Sequence, residues 1–311
     1  MSREVVEIFE CFGGRCSVRV ADRDADSATV AAREARLTLL DAHRALSRFD
    51  PASELSRINR DPHPVLPASP LLRRLVAAAL TAGLRSGGLV DATLVSEIEA
   101  AGYARSREFE GAEIGAGSPP THPGAPSPRA GWCKLAVDER TGTISRPPGL
   151  RIDPGGIAKG LLADLVGESL ADFGCFAVDC CGDLRVGGSA RRLRAIAVDD
   201  PYRGGTLHVL RIADGAVATS GITRRAWTGA DGRPAHQILD PASGRPAHTG
   251  VVQVSAIAPT GLLAETFAKS ALLSGPERAE GWLAYGGVIV EAGGAIRVVE
   301  PLTSVMPAVL A

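Results

Sequence analysis

Two hydrophobic periods share this chain in runs, and their order limits the folds open to it. Cys16, Val18 and Val20 alternate, the period of an early strand. Ala35, Leu39, Ala42 and Leu46 recur at four, three and four, the stripe of an amphipathic helix. After a turn-rich stretch, Ser47 to Pro70, the pairs Leu71/Leu72, Leu75/Val76 and Ala79/Leu80 mark a second helix, ended by Gly87-Gly88. A strand-like piece with a turn runs from Leu135 to Ile144, and a helix through Leu161, Leu165, Val166 and Leu170 follows Gly155-Gly156. Three strand-like runs then come in a row: Cys175 to Asp179, Leu193 to Val198 and Leu207 to Ile212. Val251 to Ile257 is another strand, Leu262 to Leu273 a helix, and Val288 to Glu291 with Ile296 to Val299 a closing hairpin around Gly293-Gly294. Strands in runs, with helices between the runs, predict an α+β fold with a mixed, largely antiparallel sheet and flanking helices, not a doubly wound one. Residues 1–311 read as one domain, interrupted by a flexible Pro/Gly-rich loop at Gly111 to Gly131.

Charge excludes several function classes. The 34 basic and 35 acidic side chains leave a net charge of −1, which argues against a nucleic-acid coat or a polybasic membrane anchor. No run of about 18 apolar residues predicts a membrane span. Met1 to Arg15 carries Arg3, Glu4, Glu7 and Glu10 without an apolar core, so neither a secretory nor a lipoprotein leader is expected and the expected location is cytoplasmic. The six cysteines form no CxxC and no zinc spacing, and read as buried thiols in a reducing compartment. Only Lys134, Lys159 and Lys269 are lysines; the other basic residues are arginines, a skew that codon bias explains.

Four stretches could carry chemistry. Asp153-Pro154-Gly155-Gly156-Ile157-Ala158-Lys159-Gly160 is neither a Walker A loop nor GxGxxG. Its Gly pair lets backbone approach a ligand, the helix start offers N–H groups to an anion, and Lys159 adds a point charge; a plain strand-to-helix turn with a surface lysine fits the same spacing. Thr219-Ser220-Gly221 precedes His236-Gln237-Ile238-Leu239-Asp240-Pro241-Ala242-Ser243-Gly244, whose tail is a turn signal. Ala264 to Lys269 places Glu265 and Lys269 four apart on a helix, and Phe49 to Asn59 contains Ser-Glu-Leu-Ser-Arg-Ile-Asn.

Taken in order, with Gly88 to Thr93, Cys181-Gly182-Asp183 and Asp164 between them, these stretches resemble the FAD:protein FMN transferase family, the ApbE-type flavin transferases, from about Phe9 to about Val290. The resemblance implies an ApbE-like, T-fold-like architecture with two halves around a flavin-nucleotide cleft. It also implies FAD as substrate, Mg²⁺ at the pyrophosphate, release of AMP, and FMN joined to a Thr or Ser hydroxyl of a target protein. Phosphoryl-type transfer needs positioning and charge neutralisation, which a Gly-rich turn, a helix end and a cation supply. Carried over by position, Phe12, Phe49, Leu89, Val90, Asp91, Asp153, the Gly155-Gly156 backbone, Lys159, Ser220 and Ile238 are the expected dinucleotide contacts. Glu265 and Gly156 are the expected metal ligands, and Lys269, His236 and Asp240 the expected catalytic groups.

Three positions depart from the family pattern. Glu265 and Lys269 stand where the metal-binding helix has Asp and Thr, and Gln237 stands where the family has His, with His236 next door. A protonated Lys269 repels a metal ion, which points to its ammonium in the metal's place, with Glu265 holding it; a plain i,i+4 ion pair is the alternative. Loss of the usual His points to another reading: an FAD binder or an FAD pyrophosphatase that modifies no protein. A third reading is a non-catalytic interaction protein on this fold.

Overall fold

The chain opens with a tight hairpin. In the computed structural model, which describes residues 4–106, 121–229, 232 and 234–302, strands β1 (Val5–Cys11) and β2 (Gly14–Ala21) pair antiparallel around Phe12 and Gly13. Both turn residues have positive φ, +55° and +72°. A two-residue hairpin whose twist matches its strands requires this, and Phe12 adopts it at a steric cost.

Helix α1 (Ala25–Leu46) starts at the Asp24 cap and buries Ala28, Ala32, Ala35, Leu39, Ala42 and Leu46, the predicted stripe extended by two turns. The turn-rich stretch expected after it holds a short helix, α2 (Glu54–Arg60), because the Ser53 side chain accepts from Ser56 N and caps it. Next come β3 (Val65–Pro67), α3 (Pro70–Arg85) with Ser69 as cap and Pro70 at its first position, and α4 (Val95–Ala100). β4 (Ala136–Asp138) and β5 (Thr143–Ser145) join β3 in a small sheet. The expected loop at 111–131 lies partly outside the described residues; residues 121–127 are irregular, and a short 3₁₀ turn begins at Gly131.

From α5 (Ala158–Ser169) onward the strands come in a run. They are β6 (Cys175–Cys180), β7 (Asp183–Gly187), β8 (Arg194–Asp199), β9 (Thr206–Ile212) and β10 (Gly215–Gly221). Short strands β11 (Ala226–Thr228), β12 (Pro234–His236), β13 (Leu239–Asp240) and β14 (Arg245–Pro246) follow. β15 (Val251–Ala258), α6 (Gly261–Ser274), β16 (Gly287–Glu291) and β17 (Ile296–Val299) close the fold.

The main sheet has eight strands in the order β1-β2-β6-β7-β10-β15-β16-β17. Each of these ladders is antiparallel, so the α+β expectation holds and its sheet is antiparallel throughout. One face carries α1, α5 and α6: Phe9, Val18, Val20, Phe176 and Val178 pack with α1 and α5, and Val254, Ala256 and Ile289 pack with α6. The other face carries the β8–β9 hairpin, whose Ile196, Val198, Leu210 and Ile212 seal Val186, Val217, Ile257 and Val288. β15 lies between both layers and is buried at all eight positions, which is why its sequence is nearly all apolar.

Candidate active site

Where the start of α5 meets the middle of α6 beside the ends of β7 and β10, the layers part into a cavity of about 1510 Å³. The turn before α5 is pinned from behind. Asn59 Nδ2 donates to Ile152 O and Asn59 Oδ1 accepts from Ile152 N, both at 2.8 Å. Asp153 N donates to Ala92 O at 2.7 Å, and Asp153 Oδ1 accepts from Gly155 N at 3.0 Å. The buried Arg48 guanidinium stacks on Phe49 (4.5 Å) and lies 3.5 Å from the Asp153 carboxylate. The Ser-Glu-Leu-Ser-Arg-Ile-Asn run is therefore scaffold for this turn, with Ser53 as its cap and Asn59 as its peg.

Helices α5 and α6 touch backbone to backbone. A Cβ on Gly160 would lie 2.3 Å from Gly261 O, so only glycine fits this crossing. Asp164 strengthens the junction, accepting from Gly261 N (2.6 Å) and Leu262 N (3.0 Å) at the start of α6. The close crossing lets Glu265 on α6 accept from Gly160 N at 3.0 Å. One turn on, Lys269 Nζ donates to Gly156 O at 2.7 Å and lies 3.8 Å from Glu265 Oε1. Burial pulls the Lys269 ammonium below its ordinary pKa, and Glu265 opposes that shift.

A second ion pair lies alongside. Lys159 Nζ contacts Asp183 Oδ2, and Asp183 Oδ1 accepts from Thr219 N at 3.3 Å. Burial works against the Lys159 charge, but the Asp183 and Glu265 carboxylates outweigh it and hold the ammonium above its ordinary pKa. Burial pushes the Asp183 carboxyl up, against the pull of Lys159. Arg225 reaches in from the loop before β11 and donates to Phe12 O at 2.9 Å, tying down the strained hairpin turn. Lys159, Lys269 and Arg225 thus meet Asp153, Asp183 and Glu265 at one end of the cavity, an arrangement suited to a polyanionic group held by fixed cations.

Most predicted site residues converge here. Phe12 and Phe49, the Leu89-Val90-Asp91 run and Asp153 all line the cavity, as do Gly155, Gly156 and Lys159. Ser220, Ile238, Glu265 and Lys269 line it too. Two, His236 and Asp240, do not line it, against the expectation for catalytic groups. His236 lies on β12 with its ring buried edge-on to His248 (5.3 Å), and Gln237 is the residue that faces the cavity. Successive residues of extended chain point to opposite sides, so the one-residue shift turned the imidazole inward. Asp240 is buried as a turn and loop anchor, accepting from Ala125 N (2.9 Å), Ala242 N (3.2 Å) and Ser243 N (3.3 Å). Asp183 and Arg225 were not among the predicted contacts. The Cys181-Gly182-Asp183 turn offered a signal for Asp183; nothing in the pattern pointed to Arg225.

The ApbE family model matches residues 12–291. The chain belongs to the ApbE family. A curated relative, the FAD:protein FMN transferase of Treponema pallidum (strain Nichols), is 34% identical over 144 residues, 42% of this chain. That match spans only 40% of the relative's length. Solved structures share the ApbE fold nearly end to end. The ApbE protein of Thermotoga maritima superposes with a TM-score of 0.75 at 23% identity, covering 96% of this chain and 97% of its own. The Pseudomonas stutzeri flavinyl transferase ApbE gives 0.74 at 22% identity, covering 99% and 97%. The flavin transferase ApbE of Vibrio cholerae gives 0.72 at 20%, covering 99% and 100%.

Proposed function

We propose that this chain transfers FMN from FAD to a Thr or Ser hydroxyl of a target protein, releasing AMP. The observation that carries this reading is the convergence of motif residues from Phe12 to Lys269 on one cavity whose cations cluster at one end. Membership of the ApbE family and the transferase name of the Treponema relative support it. In the reaction the acceptor oxygen bonds to the FMN phosphorus, and the bond from that phosphorus to the bridging oxygen breaks. AMP leaves with the bridging oxygen and its electron pair, and the hydroxyl proton passes to solvent. Lys159 and Lys269 neutralise charge on the pyrophosphate, Asp183 and Glu265 hold the two ammonium groups in place, and the Asp153–Gly156 turn sets the dinucleotide's position.

Magnesium fits these residues poorly. Mg²⁺ takes near-octahedral oxygen ligands at about 2.0–2.1 Å. Here the Lys269 ammonium already donates to the Gly156 carbonyl beside Glu265. Among the described residues no group of three or more His, Cys, Asp or Glu side chains is placed to hold a metal. Lys269 supplies the positive charge in this reading.

The test incubates the purified chain with FAD and a Thr-containing acceptor, with Mg²⁺ or with chelator, and reads the acceptor by mass spectrometry. Flavinylation that survives chelator is expected, and Lys269→Thr is expected to make it Mg²⁺-dependent. Full Mg²⁺ dependence of the native chain would sink the lysine role. A second reading, hydrolysis of FAD to FMN and AMP without an acceptor, is favoured by one observation: Gln237, which cannot act as a base, faces the cavity in place of His. Covalent flavin on the acceptor excludes it.

A further inference from the structure

The cavity extends beyond its cationic end. Small-molecule sites run to roughly 300–1,000 Å³; this one is about 1510 Å³ and continues past Asp183 over a strip of the main sheet. Strand register defines that strip. Val6 pairs with Arg19 and Arg19 with Ala177; Ile8 pairs with Ser17 and Ser17 with Asp179. Paired residues point to the same face, here the face that carries the β8–β9 hairpin. The hairpin covers Val186, Val217 and Ile257 but stops short of β1. Val6 (39% exposed) and Ile8 (49%) there border the cavity, paired with Arg19 and Ser17, which line it.

The wall of the strip is an open strand edge. Among the described residues β8 pairs only with β9, in a two-stranded sheet. Its Ala195 and Ala197 are exposed and line the cavity, so the cavity runs along this strand. Such an edge presents unpaired N–H and C=O groups to an extended peptide. The far end is closed where Glu4 bridges Arg19 (3.4 Å) and Arg194 (2.5 Å). The near end opens on Phe12 and Asp183, where the dinucleotide's phosphates are placed above.

We infer that the strip between the open edge of β8 and strands β1 and β2 is the channel for the flavin acceptor: an extended segment, hydrogen-bonded to β8, apolar toward Val6 and Ile8, and bearing a Thr or Ser hydroxyl at the Asp183 end. This rests on the transferase reading, which requires a second, polypeptide substrate. Continuity of the strip with the nucleotide end decides the occupant, because the hydroxyl must reach the FMN phosphorus. The bond changes are those given above, with AMP as leaving group and the hydroxyl proton released to buffer.

The probe is a twelve-residue peptide with one central Thr among alternating Val residues, added to the FAD-loaded full chain. Flavinylation is read by mass spectrometry and amide exchange by hydrogen–deuterium labelling. With Val6→Asp/Ile8→Asp, exposed positions that leave the core untouched, KM for the peptide rises about tenfold while the Kd for FAD is unchanged. In the native chain, saturating peptide slows exchange of β8 amides. Equal KM in native and variant, β8 exchange indifferent to the peptide, or a native FAD-loaded chain that leaves the peptide unmodified would each overturn the channel while leaving FAD binding intact. Concentration-dependent protection of β8 without peptide would assign the edge to a second copy of the chain, and also overturns it. A native chain that takes up no FAD fails the functional reading itself, a distinguishable result.

Discussion

Two walls of the same cavity treat their polar residues in opposite ways. On the α5–α6 wall the charged groups Lys159, Lys269 and Glu265 all point into the cavity or at each other, with Asp183 reaching Lys159 from β7. On the wall made by β12, β13 and the link between them, His236 and Asp240 turn into the protein and only Gln237 among the polar residues faces the space. Lys159 stands at the start of α5, and Glu265 and Lys269 lie one turn apart on a single face of α6, so motif membership and placement agree there. A short strand alternates, so a shift of one residue converts a cavity-facing side chain into a buried one.

The strongest way to break this contrast is to remove the cation that organises the first wall. Lys159→Met leaves Asp183, which is 1% exposed, without its partner. Breaking a buried pair in this manner costs about 3–5 kcal/mol. Urea unfolding should show that loss at pH 7, and titration with FAD should show a large fall in affinity. The double variant Lys159→Met/Asp183→Asn should recover part of the stability but not the FAD affinity. If Lys159→Met unfolds like the native chain, the pair is a surface contact and the first wall is no more organised than the second.

The other wall is probed through acid. Burial depresses the His236 imidazole to about 3, against an unfolded value near 6.5. Between those values the unfolded chain binds a proton that the native chain refuses. The contribution is therefore complete above about pH 6.5 and is lost as pH falls. At pH 5 the cost is about 2 kcal/mol, at about 1.4 kcal/mol per unit. His236→Phe keeps an aromatic ring beside His248 and removes the titration. Its unfolding free energy should fall less steeply below pH 6.5 than that of the native chain, with FMN transfer at pH 7 unchanged. A catalytic imidazole would give the opposite pattern: transfer lost at pH 7 and the acid slope retained.

The same contrast explains what could be read without the structure. Fold class followed from periodicity, because α1, α3, α5 and α6 carry apolar stripes and β15 a continuous apolar run. Helix α2 was hidden because seven residues are too short to show a stripe, although Ser53 stood at its cap. Cavity residues on glycine turns and helix starts were legible because backbone approach and charge leave a mark on residue type. Arg225 was not: it acts by reaching across to Phe12 O, from a position 213 residues away, and one arginine among many carries no local signal. The antiparallel completeness of the sheet was likewise invisible, since register is set by long-range pairing.

Asp240 offers the finest cut between the walls. Its carboxylate accepts N–H groups from its own turn at Ala242 and Ser243, and from Ala125 in the irregular segment that crosses it. Asp240→Ala removes a turn anchor, an effect of about 1 kcal/mol, and loosens the segment at Ala125. Thermal unfolding should show that modest loss, hydrogen exchange should speed up at Ala125, and FAD affinity should stay within about twofold, an energy difference below 1 kcal/mol. Abolished transfer with native stability would return Asp240 to the catalytic set. It would also remove the distinction between a wall that does chemistry and a wall that holds shape.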